Sequence, residues 1–228
     1  MLQTALTRGL LLRHPVVHCG LDRSCDAERA SAVANAGALG ALGTIGRLPE
    51  DLRAQIQRTR SRTRGPFAVN LVSYAWSPLL QEHVAVACEE RVPAVVLAFG
   101  EPLPIARRCQ EAGCRVLVQV DSVAEAAAAA AAAVDGLLVD AFAGRARAAA
   151  SGGLGLLTRV LAAAPGLPVV VGGNPASGRV LAAALAAGAA GIATDTFPAQ
   201  VPDAARLCEQ LVADAERCLA EAGGLRAG

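Results

Sequence analysis

Two short apolar runs near the end of the chain each stop at residues that could hold a phosphate group. The first run ends on Gly172 and Gly173, and the second is followed by Asp195 and Thr196. A strand that ends on glycines just before a helix leaves backbone N–H groups free to donate to an anion. Parallel strands end at one edge of a sheet, so two such ends lie close together. We therefore expect the segment 166–197 to bind a phosphate-bearing cofactor or substrate.

Amide side chains stand at the ends of two other apolar runs. Asn70 and Gln119 can each donate and accept a hydrogen bond at once, which suits the edge of a heteroaromatic ring. Either amide alone could equally well satisfy a loop carbonyl, but two amides at one sheet edge favour a ligand. Tyr74 and Trp76 follow the run that contains Asn70, and we expect them either to wall a pocket or to pack in the core.

His18 is the one histidine of the three that stands at the end of an apolar run. It could act as a general acid or base, with packing against a helix or loop as the alternative. Cys19 has no second histidine at a run end to activate it as a nucleophile, so a packing role is favoured. His14 and His83 are expected on the surface or within helices.

These residues must be positioned by the short apolar runs, which alternate with helix-like stretches along the chain. Continuous apolar runs are typical of parallel strands that are buried on both faces. Ser122 precedes Glu125 by three residues, a capping-box pattern that opens one of the helices. The chain has 228 residues, within the roughly 200–250 of a small (β/α)8 barrel. We therefore predict an α/β fold, a compact (β/α)8 TIM barrel formed by residues 1–228 as one domain. The eight runs are 16–19, 39–43, 67–72, 94–99, 115–120, 136–140, 168–172 and 191–194.

Composition excludes several classes of function. The 21 basic and 20 acidic residues nearly cancel and aromatic residues are only 3% of the chain, which argues against nucleic-acid binding. With three histidines and no clustered carboxylates, a metal site is not expected. Nothing approaches the roughly 18 apolar residues of a membrane span. Seven cysteines without C-x-x-C spacing indicate reduced thiols, and we expect a cytoplasmic protein.

The order of several motifs resembles a known family. They are H-P-V-V-H-C-G at 14–20, A-V-A-N-A-G-A-L-G-A-L-G-T at 32–44, G-P-F-A-V-N-L at 65–71, V-V-L-A-F-G at 95–100, E-A-G-C-R-V-L-V-Q-V at 111–120, and the segment 166–197. Together they resemble the nitronate monooxygenases, formerly called 2-nitropropane dioxygenases, a family that also includes flavin-dependent enoyl-acyl-carrier-protein reductases. The resemblance runs through nearly the whole chain in the right order.

The resemblance implies a (β/α)8 barrel that binds FMN at its mouth. It implies that Asn70 and Gln119 hydrogen-bond the flavin ring and that the backbone around 17–20 lies beside it. The residues expected to contact the cofactor are Cys19, Gly20, Asn70, Gln119, Gly172, Gly173, Asp195 and Thr196.

The chain departs from the family pattern in three places, one of which is the segment H-C-G-L at 18–21, where the family has Q-A-P-M. After the sixth strand the family carries a histidine that serves the chemistry on the substrate, whereas residues 140–147 read D-A-F-A-G-R-A-R. His18, Asp140 or Arg145 would have to replace it, and an arginine there could stabilise negative charge on a substrate. Asp195 stands where the family has a glycine, and its carboxylate should repel a phosphate unless it turns away or meets an arginine.

The leading hypothesis is an FMN-dependent oxidoreductase that acts on a small organic substrate, a nitronate or an activated alkene. One alternative is a barrel without redox activity that serves as a binding or assembly partner. Another is a non-redox enzyme that uses a phosphate-bearing ligand, because barrels host many chemistries. The apolar helices also favour association into a homo-oligomer or with a partner protein.

Overall fold

Eight parallel β-strands form one sheet. From β2 to β8, each strand pairs with the strand that follows it in the chain. The computed structural model describes residues 2–140, 153–172, 177–194 and 201–223, without the side chains of Asp140, Val201 and Pro202. The strands are β1 Val16–His18, β2 Gly40–Gly43, β3 Phe67–Val72, β4 Ala94–Ala98, β5 Arg115–Val120, β6 Gly136–Asp140, β7 Val169–Gly172 and β8 Gly191–Thr194.

The first strand closes the sheet into a barrel because it pairs on both sides. On one side β1 runs parallel to β8, with Val16 opposite Ile192. On the other side it meets the start of β2, where the His18 amide donates to the Leu39 carbonyl over 2.8 Å and the Leu39 amide donates to the Val16 carbonyl over 3.0 Å. The predicted (β/α)8 barrel is confirmed.

Helices follow the strands and cover the outside of the barrel. A large outer cluster of buried residues packs between strands and helices, and a smaller inner cluster fills the barrel interior. This is the two-layer core that a closed parallel sheet requires, because successive side chains of a strand point to opposite faces. The helices are α1 Ala5–Leu10, α2 Ala27–Asn35, α3 Pro49–Arg62, α4 Leu80–Glu89, α5 Pro102–Glu111, α6 Val123–Ala131, α7 Gly153–Ala163, α8 Gly178–Ala186 and α9 Val201–Gly223.

Helix α1 precedes the barrel and plugs its amino-terminal end, a feature that the sequence analysis did not predict. Its residues Leu6 and Leu10 belong to the inner cluster. Thr4 caps the helix by accepting from the Thr7 amide, and its hydroxyl donates to the Ala190 carbonyl just before β8 over 2.7 Å. The helix therefore seals the end of the barrel opposite the carboxyl ends of the strands.

Two local sequence patterns, a helix cap and a loop, can be compared with the structure. Ser122 caps α6 by accepting from the Glu125 amide, but the Glu125 carboxylate accepts from the amide of Asp121, one residue before the predicted partner. The stretch 143–155, interpreted as a loop, gives its last three residues to α7, while 143–152 lie outside the described residues. In the described part of the chain, no helix is long and apolar enough to span a membrane.

Candidate functional site

The carboxyl ends of the strands carry most of the side chains that the sequence suggested for a ligand. Residues of the inner cluster identify the face of each strand that points into the barrel, and alternation puts the next residue but one on the same face. Four predicted site residues fall on this inward face at the mouth of the barrel. The pairs, inner-cluster residue first, are Val17 and Cys19, Ala68 and Asn70, Leu117 and Gln119, and Val170 and Gly172.

Asn70 is the most informative of the four because it is buried with one polar atom left over. Its side-chain nitrogen donates to the Cys19 carbonyl over 3.3 Å, and its backbone carbonyl accepts from the Thr44 hydroxyl over 2.8 Å. Its side-chain oxygen is buried and has no hydrogen-bond partner within the described part of the protein. Leaving such an acceptor unpaired costs about 1–3 kcal/mol. The cost indicates that this oxygen faces a donor that the described residues do not supply.

The glycines of the site differ in what their missing side chains leave room for. A Cβ on Gly20 would stand 1.8 Å from the Cys25 sulfur, so packing alone requires glycine there. A Cβ on Gly172 would meet nothing closer than 3.8 Å among the described residues. Packing therefore does not explain Gly172, whereas close approach of a ligand to the backbone at the end of β7 would explain it.

His18 lies on the opposite face of β1 from Cys19. It is fully buried, and its Nε2 atom is 3.9 Å from the sulfur of Cys25, which is itself buried. Val16, two residues earlier on the same face, packs in the outer cluster between strands and helices. The structure therefore does not bring His18 together with Asn70 and Gln119 on the inward face, and this geometry gives no support to the predicted role of general acid or base.

Arg47, which the sequence analysis did not single out, holds the loops around the ends of β1 and β2. It is buried, and its guanidinium donates to the carbonyls of Gly43 over 2.8 Å and Arg23 over 2.9 Å. It also forms an ion pair with Asp51 at 2.8 Å. The i, i+4 spacing of these two opposite charges at the start of α3 was the available signal.

His83 fixes the backbone of Arg47 from the neighbouring helix. Its Nε2 atom is 2.8 Å from the Arg47 carbonyl, so that nitrogen must carry the proton and donate. Burial lowers the pKa of His83, which favours the neutral ring. The histidine lies in α4 as expected, but it is buried rather than on the surface.

A cavity of about 830 Å³ opens beside the mouth, between the first turns of α5 and α6. Tyr74 lines it, which confirms the prediction that this residue walls a pocket. Trp76 stacks on Tyr74 with ring centroids 5.0 Å apart and is 77% exposed, so it does not pack in the core. Gln119 lines the same cavity and connects it to the inward face of the barrel.

Several predicted site residues lie outside the described residues. These are the Asp140 side chain, Arg145, Gly173, Asp195 and Thr196. The backbone of Asp140 ends β6 and pairs with Gly172 on β7. The phosphate half of the predicted site and the replacement for the family histidine therefore stay predictions. Within the ranges that the structure describes, no group of three or more His, Cys, Asp or Glu side chains could hold a metal ion.

Comparison with known proteins gives consistent similarities. The nitronate monooxygenase family model matches residues 3–79. A Mycobacterium tuberculosis protein, (3aS,4S,5R,7aS)-5-hydroxy-7a-methyl-1-oxo-octahydro-1H-indene-4-carboxyl-CoA dehydrogenase, is 32% identical over 90% of this chain and 59% of its own length. The structure of FabK from Thermotoga maritima superposes with a TM-score of 0.76 at 30% identity, over 85% of this chain and 61% of FabK.

A nitronate monooxygenase from Pseudomonas aeruginosa is 32% identical, and the match covers 83% of this chain and 67% of the relative. The chain thus spans between about three-fifths and two-thirds of the length of these proteins. Identity at this level, together with the shared barrel and the matching first third of the chain, leads to one conclusion: the chain belongs to the nitronate monooxygenase family.

Proposed function

We propose that this chain binds FMN at the carboxyl-terminal mouth of the barrel and acts as an oxidoreductase on a small organic substrate. The observation that carries the proposal is the buried side-chain oxygen of Asn70, which has no partner among the described residues. The edge of a flavin ring offers an N–H donor between carbonyl acceptors, which matches an amide that still has an acceptor to satisfy. Gln119 supplies a second amide on the same inward face.

The residues of the mouth divide into those that would hold the ring and those that would hold the phosphate. Asn70 and Gln119 would hold the ring edge, with the backbone of Cys19 and Gly20 beside it. Gly172 leaves room for close approach at the end of β7, and Gly173 and Thr196 are proposed to complete the phosphate site. When bound, FMN supplies the electron-transfer chemistry, while the protein binds and orients the reactants.

Asp140 and Arg145 are the proposed residues for contact with substrate. Asp140 ends β6, between the strands that carry Gln119 and Gly172, and Arg145 follows it in the chain. A guanidinium there would bind an anionic group and stabilise negative charge that develops on it. A nitronate would present such a group to this side of the mouth, and an activated alkene would develop negative charge there as it is reduced.

The first test is cofactor binding by the purified protein. We expect visible flavin absorption after reconstitution with FMN, and we expect Asn70→Ala to weaken FMN binding about tenfold, the loss of one hydrogen bond. Asn35→Ala is the matched control, because Asn35 is an exposed asparagine at the end of α2. A colourless protein that gains no flavin absorption on reconstitution would refute the proposal.

The second test concerns the chemistry. Anaerobic addition of a nitronate or of NAD(P)H should bleach the absorption of the bound flavin, and an activated alkene added after NAD(P)H should restore it. Arg145→Ala should raise KM for the anionic substrate more than it lowers kcat, since the guanidinium is proposed to bind the ground state as well as the transition state.

A second candidate function is a barrel that binds its ligand without redox chemistry and serves as a partner in an assembly. The absence of histidine from residues 140–147 favours it, because the family chemistry uses a histidine there. Flavin that binds but is not bleached by any reductant, together with stable association in light scattering, would select this candidate.

A further inference from the structure

The cavity beside the mouth is built from parts that, apart from Gln119, the proposed cofactor site does not use. Its floor is the end of β5 and the residue that follows, and its two walls are the first turns of α5 and α6. Tyr74 and Phe99 border it from the loops after β3 and β4. Gln119 lines the cavity and also belongs to the inward face of the barrel.

The aromatic border of the cavity is held in a rigid arrangement. The rings of Tyr74 and Phe99 stack with centroids 5.7 Å apart and an interplanar angle of 5°. Phe99 and Gly100 both have positive φ, 61° and 62°, which is unfavourable for phenylalanine. A Cβ on Gly100 would stand 2.1 Å from the Ser73 carbonyl, so the two loops pack in direct contact. Strain held in this way is typical of loops that present a side chain for binding.

Among the described residues that line the cavity, the charged ones are all acidic. Glu101, Asp121 and Glu125 carry carboxylates, and no described lining residue is Lys, Arg or His. The amino-terminal ends of α5 and α6 add about half a positive charge each. The carboxylates of Glu101 and Glu125 outweigh that contribution, so the described lining of the cavity favours a cation over an anion. An aromatic border adds to the preference, because ring faces attract cations.

We propose that this cavity binds a planar aromatic cation, with its ring against Phe99 and its positive charge toward Glu101. Its volume of about 830 Å³ is in the range of small-molecule sites. That this ring is the part of the substrate remote from the reacting group rests on the proposed FMN function, since Gln119 joins the cavity to the mouth. The binding of the ring itself does not depend on FMN.

Three probes of nearly equal shape and different charge test the proposal. Benzamidinium, benzamide and benzoate are titrated against the full chain by ligand-observed NMR. We expect benzamidinium to bind at least about tenfold more tightly than benzoate, with benzamide between them. Added salt should weaken benzamidinium more than benzamide. Benzoate binding as tightly as benzamidinium, or no binding by any of the three, would overturn the proposal.

Two variants locate the binding site. Glu101→Gln should weaken benzamidinium binding about threefold and leave benzamide unchanged, because only the charge is removed. Glu111→Gln is the control at the far end of α5, where the carboxylate pairs with Arg107 on the surface. Equal effects of the two variants would place the cation elsewhere and overturn the proposal.

The titrations are repeated after reconstitution with FMN, so that the two proposals fail separately. If the protein takes up no FMN but binds the three probes in the expected order of affinity, only the cofactor proposal is refuted. If the protein binds FMN but does not bind the three probes in the expected order of affinity, only the cavity proposal is refuted.

Discussion

Single polar side chains decide how the loops at the mouth are held. Arg47 is buried at the point where the loop after β1 meets the end of β2, and it donates to carbonyls of both. The bond to the Gly43 carbonyl is buried, and loss of its donor would cost about 1–3 kcal/mol. The arginine therefore acts on the site through the backbone of residues 19–25, without itself standing on the inward face.

Replacement of this arginine should be costly. We expect Arg47→Met to lower the free energy of unfolding by about 3 kcal/mol, because it leaves buried carbonyls and Asp51 without their partner. Urea unfolding followed by circular dichroism measures the loss. Arg107→Met is the control, since Arg107 pairs with Glu111 on the surface, and it should change stability by less than about 0.5 kcal/mol.

Asp195 provides a prediction about charge at the phosphate site. If its carboxylate opposes the phosphate, Asp195→Asn should tighten FMN binding about tenfold, and Asp195→Gly should do the same. Fluorescence titration of FMN gives the two dissociation constants. Unchanged affinity in both variants would show that this carboxylate points away from the phosphate.

The sequence predicts which residues lie together where strand alternation can be read, but it does not show which face of a strand packs against the helices. Asn70 and Gln119 were predicted at one edge of the sheet, and alternation from the inner cluster does put both on the inward face. His18 was also predicted from its place at a run end. Its neighbour Cys19 lies on the inward face, so alternation places the His18 side chain on the outward face of β1. Nothing in the sequence marks which of two adjacent residues takes which face.

The contacts of a helix determine whether a glycine within it can be replaced by alanine. Gly178 begins α8 where that helix packs on α9, and a Cβ there would stand 2.2 Å from the Cβ of Asp214 and 2.9 Å from the Leu211 carbonyl. Gly9 in α1 is exposed, and a Cβ there would meet no atom within 4 Å. The two helical glycines should therefore respond to alanine in opposite directions.

We expect Gly178→Ala to lower the free energy of unfolding by about 2 kcal/mol, because the backbone of α9 must move. Gly9→Ala should raise it by about 0.5 kcal/mol, because alanine favours helix and nothing obstructs its methyl group. Thermal and urea unfolding of both variants check the signs. A destabilised Gly9→Ala or a neutral Gly178→Ala would contradict the packing described here.

The strands were predicted closely because each is a continuous apolar run with polar or glycine residues at its ends. The runs 67–72, 115–120, 136–140 and 191–194 coincide with β3, β5, β6 and β8, and the other four are one residue longer than their strands. Helix α1 was missed because it is short and precedes the first strand, where the barrel pattern offers no reason to expect a helix. Its signal was the pair Leu6 and Leu10, one turn apart and both buried.

At the scale of the whole molecule, buried thiols link stability to pH. None of the seven cysteines forms a disulfide. Burial raises the pKa of Cys208 from 9.0 to about 12 and that of Cys114 to about 11. The unfolded chain therefore ionises these thiols at lower pH than the folded protein does. Their contribution is fully present below pH 9.0, and it is lost progressively as the pH rises toward 11 and 12.

This linkage predicts alkaline instability that one substitution reduces. Cys208→Ala should be less stable than the parent near pH 7 by about 1 kcal/mol, the cost of a small cavity. Above about pH 9, the free energy of unfolding of the variant relative to that of the parent should rise by roughly 1.4 kcal/mol for each pH unit. Urea unfolding from pH 7 to 11 measures it. A variant that loses stability above pH 9 as steeply as the parent would contradict this linkage.

The position of β1 between β2 and β8 has a consequence for how the chain reaches its native state. Val16 pairs with Ile192, and the Thr4 hydroxyl binds the Ala190 carbonyl, so both contacts join residues nearly the full chain apart. During synthesis the first strand emerges early but has no partner on its second side until the last strand follows. Its unpaired edge is then a template for pairing with other chains. We therefore expect closure of the barrel between its two ends to be the late and slow step of folding, and truncation before β8 to yield aggregates.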